Sequence, residues 1–235
     1  MFRFILFFIL LIAIGGAGSW FWTSNTNDAS EAHVSNDIDT MLSQAKVGDV
    51  KAEYGLGEAF RLGKGVEKSI PQAFKWYGRA AENGHVQAQY ELGLIYETGV
   101  GIKKNIARAA EWYRLAASFG HLPDAQFALG QLYFHGRGVS QDYVEAFNLF
   151  EKAARQGHPV AQHLLGGMYE EGWVVKRNFI EAYKWYTLAI PGRERAMAVN
   201  RAYDPLRSRG YLIEKMNKFQ IGRGEELAKA WRKSP

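Results

Sequence analysis

The sequence predicts an all-α protein: a solenoid of four two-helix repeats with helical caps, preceded by an N-terminal export segment. Three observations predict it. A nine-residue motif centred on Leu-Gly recurs four times, as AEYGLGEAF (52–60), AQYELGLIY (88–96), AQFALGQLY (125–133) and AQHLLGGMY (161–169). Its glycines Gly57, Gly93, Gly130 and Gly166 lie 36, 37 and 36 residues apart. A second motif follows each copy, as AFKWYGRAA (73–81), AAEWYRLAA (109–117), AFNLFEKAA (146–154) and AYKWYTLAI (182–190). Self-similarity at such a period marks stacked supersecondary units that bury their apolar faces only against one another.

Both motifs have helical period. Ala52, Leu56, Ala59 and Phe60 form one apolar stripe in the first, as do Ala73, Trp76, Tyr77, Ala80 and Ala81 in the second. Gly57 and its equivalents stand inside the first helix, where glycine costs about 1 kcal/mol relative to alanine. That cost is reasonable where a neighbouring helix packs on bare backbone, and the Trp/Tyr of the second helix are the expected bulky partners. Between the helices run Gly63-Lys-Gly65, Gly99-Val-Gly101 and Gly136-Arg-Gly138, in which the first glycine suits a left-handed helix cap and the second a tight reversal. The fourth copy reads Gly172-Trp-Val174, which predicts a different loop conformation there.

The elements then follow in order. Residues 1–22 carry Arg3, an apolar run from Phe4 to Gly18 and then Trp20 and Trp22, with no charge between Arg3 and Asp28. This reads as a secretory signal cleaved near Gly16–Gly18, or as an uncleaved signal-anchor helix oriented with its N-terminus inside. Either outcome exports the rest, to an inner-membrane anchored position facing the periplasm or to a soluble periplasmic or secreted state. Residues 23–36 are a polar, acidic linker. Ile38, Met41, Leu42 and Ala45 predict an N-terminal cap helix over 37–47, ahead of repeats at 48–84, 85–120, 121–157 and 158–192. Residues 193–235 are capping helices: Asp204-Pro205 offers an N-cap and first-turn pair, and Asn217 to Gln220 a capping box.

Composition narrows the chemistry. The 235 residues contain no cysteine, which excludes disulfides, thiolate metal sites, a cysteine nucleophile and lipoprotein acylation. The net charge of +5 is concentrated at the end, where residues 193–235 hold 11 Lys/Arg against 5 Asp/Glu. A basic terminus suits a solvated capping helix or an anionic partner. Ser43 and Lys46 fit Ser-x-x-Lys, but no Ser-Asp-Asn or Lys-Thr-Gly accompanies them. His85, His121 and His158 recur at the turns, one repeat apart and so too far from one another to share a metal ion. His135 and His163, in adjacent first helices, are candidates for a ligand-facing position. Glu170-Glu171 and Glu225-Glu226 are adjacent carboxylates that diverge on a helix, which predicts that they face solvent.

The combination Ala-x-x-x-Leu-Gly-x-x-Tyr, Gly-x-Gly-Val and Ala-x-x-Trp-Tyr-x-x-Ala-Ala resembles the Sel-one-like repeat family, a branch of the tetratricopeptide-like solenoids. The resemblance covers residues 48–192. It implies a right-handed superhelix with first helices lining a concave face, and a non-catalytic role binding a protein or peptide partner without a cofactor, a metal or nucleic acid. Carried over copy by copy, it implies ligand contacts from Tyr54, Glu58 and Arg61, from Tyr90, Leu94 and Glu97, from Phe127, Gln131 and Phe134, and from His163, Gly167 and Glu170. Binding of an anionic polymer or lipid surface by the basic cap, and hydrolysis of a cell-wall or β-lactam substrate, are the rival readings.

Overall fold

The structure, a computed structural model, describes residues 37–119 and 121–233. The expected export segment and linker lie outside the described residues. Among the described residues, no helix is long and apolar enough to cross a membrane, and the secondary structure is helical throughout. The chain divides into two compact units, Met1–Asn83 and Gly84–Pro235.

The first unit holds helix α1 (37–46) and the first pair, α2 (Val50–Leu62) and α3 (Ile70–Glu82). Ile38 and Ala45 of α1 are buried with Ala52, Leu56 and Ala59 of α2, so the N-terminal cap covers the stripe that the sequence assigns to it. Glu53 is buried, and it is satisfied by Arg79 at 2.8 Å and the Asn83 amide at 3.2 Å.

The second unit holds three pairs: α4 (Val86–Thr98) with α5 (Ile106–Ser118), α6 (Pro123–His135) with α7 (Tyr143–Arg155), and α8 (Pro159–Glu171) with α9 (Phe179–Ala189). A 3-10 turn (Ile190–Gly192), α10 (Arg193–Val199), α11 (Pro205–Ile213) and α12 (Lys218–Lys233) follow. Each first helix packs on its own second helix, and α5 on α6 and α7 on α8 continue the stack, the arrangement of an α-solenoid. The glutamines of the third and fourth copies join successive pairs: Gln126 Nε2 donates to the Ala117 carbonyl at 3.3 Å and Gln162 Nε2 to that of Ala154 at 3.1 Å. These buried amides satisfy carbonyls at the end of the preceding helix, groups that a helix leaves without partners. At the far end α11 and α12 pack on α9, and Trp231 of α12 meets Trp185 edge-on at 5.3 Å. Asp204 caps α11. The expected capping box opens α12: Asn217 N–H donates to Gln220 Oε1 at 3.0 Å and Gln220 N–H to Asn217 Oδ1 at 2.9 Å.

Helix starts are specified by side chains in phase with the repeat. Ser69, Asn105, Asp142 and Asn178 cap the second helices. Asp49, His85 and His158 cap three of the first helices, and the two histidines accept the N3 amide through Nδ1. Two of the three turn histidines, His85 and His158, thus have a structural duty. In the third copy one extra residue places Leu122 at the cap, which makes no side-chain bond, and His121 adopts φ 50°. The 37-residue spacing is this insertion.

The fourth loop overturns the expectation of a changed conformation. In all four copies the second-helix cap donates its N–H to the carbonyl of the motif aromatic: Ser69 to Phe60, Asn105 to Tyr96, Asp142 to Tyr133 and Asn178 to Tyr169, at 2.8, 2.8, 3.0 and 2.9 Å. Val174 takes φ 64°, beside 70°, 75° and 69° for Gly65, Gly101 and Gly138. A left-handed β-branched residue is strained by roughly 1–2 kcal/mol. Helix closure and cap dictate the loop path, and valine is forced into it. Val174→Gly is therefore expected to raise the unfolding free energy by about 1 kcal/mol, the released strain exceeding the extra chain entropy that glycine loses on folding. Denaturant titration checks this, and an unchanged or lowered midpoint counts against the strain.

Candidate functional site

The glycines of the Leu-Gly motif set the first-helix face. A Cβ on Gly57, Gly93, Gly130 or Gly166 would lie 2.4, 2.3, 2.7 or 2.5 Å from the ring of Tyr77, Tyr113, Phe150 or Tyr186 respectively. The bulky partner is the tyrosine or phenylalanine of the second helix, not the tryptophan before it. The same ring meets the aromatic three residues before each glycine: Tyr54 on Tyr77 at 5.8 Å, Tyr90 on Tyr113 at 5.7 Å, Phe127 on Phe150 at 5.7 Å and His163 on Tyr186 at 5.3 Å. Burial pushes the Tyr90 phenol up to about 12, and Phe127 also stacks on His158 at 4.4 Å.

The tyrosine hydroxyls account for most of the expected charged contacts. Tyr77 donates to Glu58, which also binds Arg61 at 2.7 Å. The Arg61 hydrogen bond is the main cause holding the Glu58 carboxyl below its usual range. Tyr113 donates to Glu97 at 2.8 Å, and Glu97 binds Arg137 of the next loop at 2.8 Å. Tyr186 donates to Glu170 at 2.9 Å, and Glu170 binds Lys215 at 2.8 Å. Glu170 therefore does not face solvent as expected; its side chain is enclosed and paired. Leu94 packs beside the core of the second and third repeats. Ser43, the candidate nucleophile, gives its hydroxyl to the Asp39 carbonyl one turn back in α1.

The third and fourth repeats break this pattern. Phe150 has no hydroxyl, and the position of Glu97 and Glu170 is held by Phe134, which stands 6.4 Å from Phe150. His163 replaces the tyrosine or phenylalanine at its position, Gly167 a larger residue, and Trp173-Val174 a residue and a glycine. All of these except Val174 line one cavity of ≈ 200 Å³ between α6 and α8. Its walls are apolar and aromatic, from Phe134, Phe150, Leu164, Met168, Trp173 and Tyr203, and its polar groups are Gln131, His135, His163 and Glu171. Trp173 and Val174, with Phe134, also line an adjoining recess. An engineered apolar cavity of about 150 Å³ is large enough to take benzene, so this one has room for a ring or a branched aliphatic group.

His163 is the buried polar group of the cavity, 7 % exposed. Its Nδ1 is sealed off without a hydrogen-bond partner among the described residues, and its ring lies 5.4 Å from Tyr203. Burial holds its pKa down to about 4, opposed by the charge of Asp204. The imidazole is neutral at neutral pH and offers no cation. The unfolded chain gains a proton as pH falls below ~6.5 while the folded chain resists until about 4. Stability is thus fully present above ~6.5 and falls by the order of 2–3 kcal/mol as the pH drops through this window. His163→Phe, the residue type at the third-copy position, is expected to remove that component, which thermal melts of both proteins between pH 7 and pH 4 will read.

Of the expected contacts, the structure gathers Gln131, Phe134, His135, His163 and Gly167 at the cavity and spends most of the others on packing within repeats. Leu164, Met168, Glu171, Trp173 and Tyr203 were missed. A signal for Trp173 was present, since the fourth loop departs from its three copies, but Tyr203 lies in the cap, where no repeat marks the register. Among the described residues no cluster of ligating side chains could hold a metal ion.

Comparison with known proteins places the pattern. The model of the Sel1 repeat matches residues 50–85, 86–121, 123–158 and 159–190. Among solved structures, a protective antigen of uropathogenic Escherichia coli displaying an SLR fold is 38% identical, with a TM-score of 0.62 over 65% of this chain. The match spans 32% of that antigen. A Sel1 repeat protein from Oxalobacter formigenes is 31% identical, with a TM-score of 0.58 over 65% of this chain and 67% of its own. Curated protein sequences give no significant match.

Proposed function

We propose that this chain, which belongs to the Sel1 repeat family, is an exported interaction scaffold that captures a protein or peptide partner by an apolar anchor side chain seated between α6 and α8. Sel1 repeats generally mediate protein interactions, and the fold is typically non-enzymatic. The finer reading rests on one observation: five residues at which the third and fourth copies depart from the others, Phe134, Phe150, His163, Gly167 and Trp173, line a single cavity. Where the second and fourth copies close this position with a Tyr–Glu bond, the third has two phenylalanines, and together with the strained Trp-Val turn they border an apolar hollow. A partly enclosed apolar pocket with few polar groups is the usual form of a binding site, and strain held at such a place points to use. The export reading is supported by the basic start, the apolar run and the acidic linker of residues 1–36.

Selection of displayed random peptides on the full chain tests this. Enriched peptides are expected to share an aromatic or branched aliphatic anchor and to lose affinity at least tenfold on a protein carrying Trp173→Ala. Trp173 is 56 % exposed, so its loss leaves the fold intact. Enrichment of peptides indifferent to Trp173, or no enrichment, rejects the site.

A further inference from the structure

A second feature, independent of the cavity, concerns the basic terminus. The fold disposes of several of its charges internally: Arg193 pairs with Asp204 at 2.7 Å, Lys215 with Glu170 at 2.8 Å, Arg223 with Glu226 at 2.9 Å, and Arg195 with Asp124. Three others are treated differently. Arg209 of α11 and Lys229 and Arg232 of α12 converge on one cleft of ≈ 390 Å³ against α9, and none of the three forms an ion pair with a carboxylate among the described residues.

The two arginines are held in place by neutral groups of a single residue. Arg209 Nη1 donates to the Thr187 hydroxyl at 3.4 Å, and Arg232 Nη2 donates to the Thr187 carbonyl at 3.0 Å. Arg209 also lies 5.6 Å over the Tyr183 ring. Each guanidinium is thereby oriented, and among the described residues the rest of its donor fork makes no further hydrogen bond; Lys229 adds an ammonium. The one carboxylate in the cleft, Glu225, accepts from the Tyr183 hydroxyl at 3.1 Å, leaving three cations against one anion.

We propose that this cleft binds a phosphate group. Two guanidinium forks from different helices and one ammonium call for at least three acceptor oxygens carrying more than one negative charge. A carboxylate supplies two oxygens and a single charge, whereas a phosphate monoester supplies three oxygens and nearly two charges. Oriented arginines lose little entropy on engaging it, so the site is prepared for an anion rather than merely solvated. A lipid whose headgroup is a phosphate monoester and a soluble phosphate monoester share this chemistry.

The test uses the full chain in a phosphate-free buffer. Inorganic phosphate is titrated calorimetrically, and vesicles of neutral phosphatidylcholine with and without phosphatidic acid, whose headgroup is a phosphate monoester, are tested by co-sedimentation. Arg209→Gln with Arg232→Gln is expected to weaken binding at least tenfold, and Lys229→Gln, an exposed side chain outside the packing, about threefold. Arg201→Gln with Lys218→Gln removes the same charge elsewhere on the cap and is expected to change nothing. Cleft-dependent binding of phosphate alone supports the proposal with a soluble source, and cleft-dependent binding of the anionic vesicles supports it with a lipid source. Absence of binding in both arms overturns it, as does equal loss in the cleft and control variants, which would reduce the effect to net charge.

Discussion

Gly93→Ala will destabilise the protein by about 3 kcal/mol or more, although alanine is the better helix former by about 1 kcal/mol. The added methyl would sit 2.3 Å from the Tyr113 ring. That ring cannot retreat, because Tyr113 is fully buried and its hydroxyl is tied to Glu97 at 2.8 Å. The overlap must be relieved by separating α4 from α5, which exposes the alanine-rich seam between them. Gly78→Ala provides the control: a Cβ there meets nothing within 4 Å, in the middle of α3. It is expected to stabilise by up to ~1 kcal/mol on propensity alone. Chemical denaturation of the two variants reads opposite signs from one substitution type. A neutral Gly93→Ala would mean that the helices are not held at this distance.

This contrast shows what was legible in the sequence. Helix positions, the pairing of motifs and the close approach at Gly93 were readable because four copies repeat them and helical period assigns their faces. The cap helix over 37–47 and the capping box at Asn217 were readable from local chemistry. The partner of each glycine was assigned too broadly, to Trp or Tyr, since neighbours in a motif differ by about 100° on a helix and only the packed structure selects between them. The expected ligand stripe of Tyr54, Glu58, Arg61, Tyr90, Glu97 and Glu170 was legible as a face but not as a site. A tyrosine hydroxyl from the adjacent helix absorbs its carboxylates, and sequence spacing does not reveal a bond across some 16 to 19 residues. The fourth loop was misjudged because the absence of glycine suggested a new path, whereas closure by Asn178 N–H imposed the old one on Val174.

The second large effect concerns Phe134 and Phe150. Phe134→Glu restores the residue of the second and fourth copies but places a carboxylate beside a ring with no hydroxyl to receive it. It should cost about 2–4 kcal/mol, from lost aromatic burial and desolvation of the charge. Phe150→Tyr alone should cost about 1 kcal/mol, since its hydroxyl would face Phe134. Together they rebuild the bond that Tyr113 makes with Glu97 and Tyr186 with Glu170, so the double variant should be more stable than the sum of the singles predicts by about 2 kcal/mol. It should nevertheless fail to bind the peptides selected on the unaltered chain, because the apolar wall is gone. A stable double variant with full affinity would show that the departures from the repeat are unrelated to binding. The cycle separates folding from recognition, as neither single variant does.

Under the proposed function, partner recognition is concentrated where the third and fourth repeats break their own pattern. Its most direct test is a titration of a selected peptide into labelled protein, following the tryptophan indole N–H resonances by NMR. Trp173 is expected to shift, with the resonances of the His163 ring in the same cavity, while Trp76 and Trp112 of the first two repeats stay in place. Shifts spread evenly over Trp76, Trp112 and Trp173, or absent at Trp173, would contradict it.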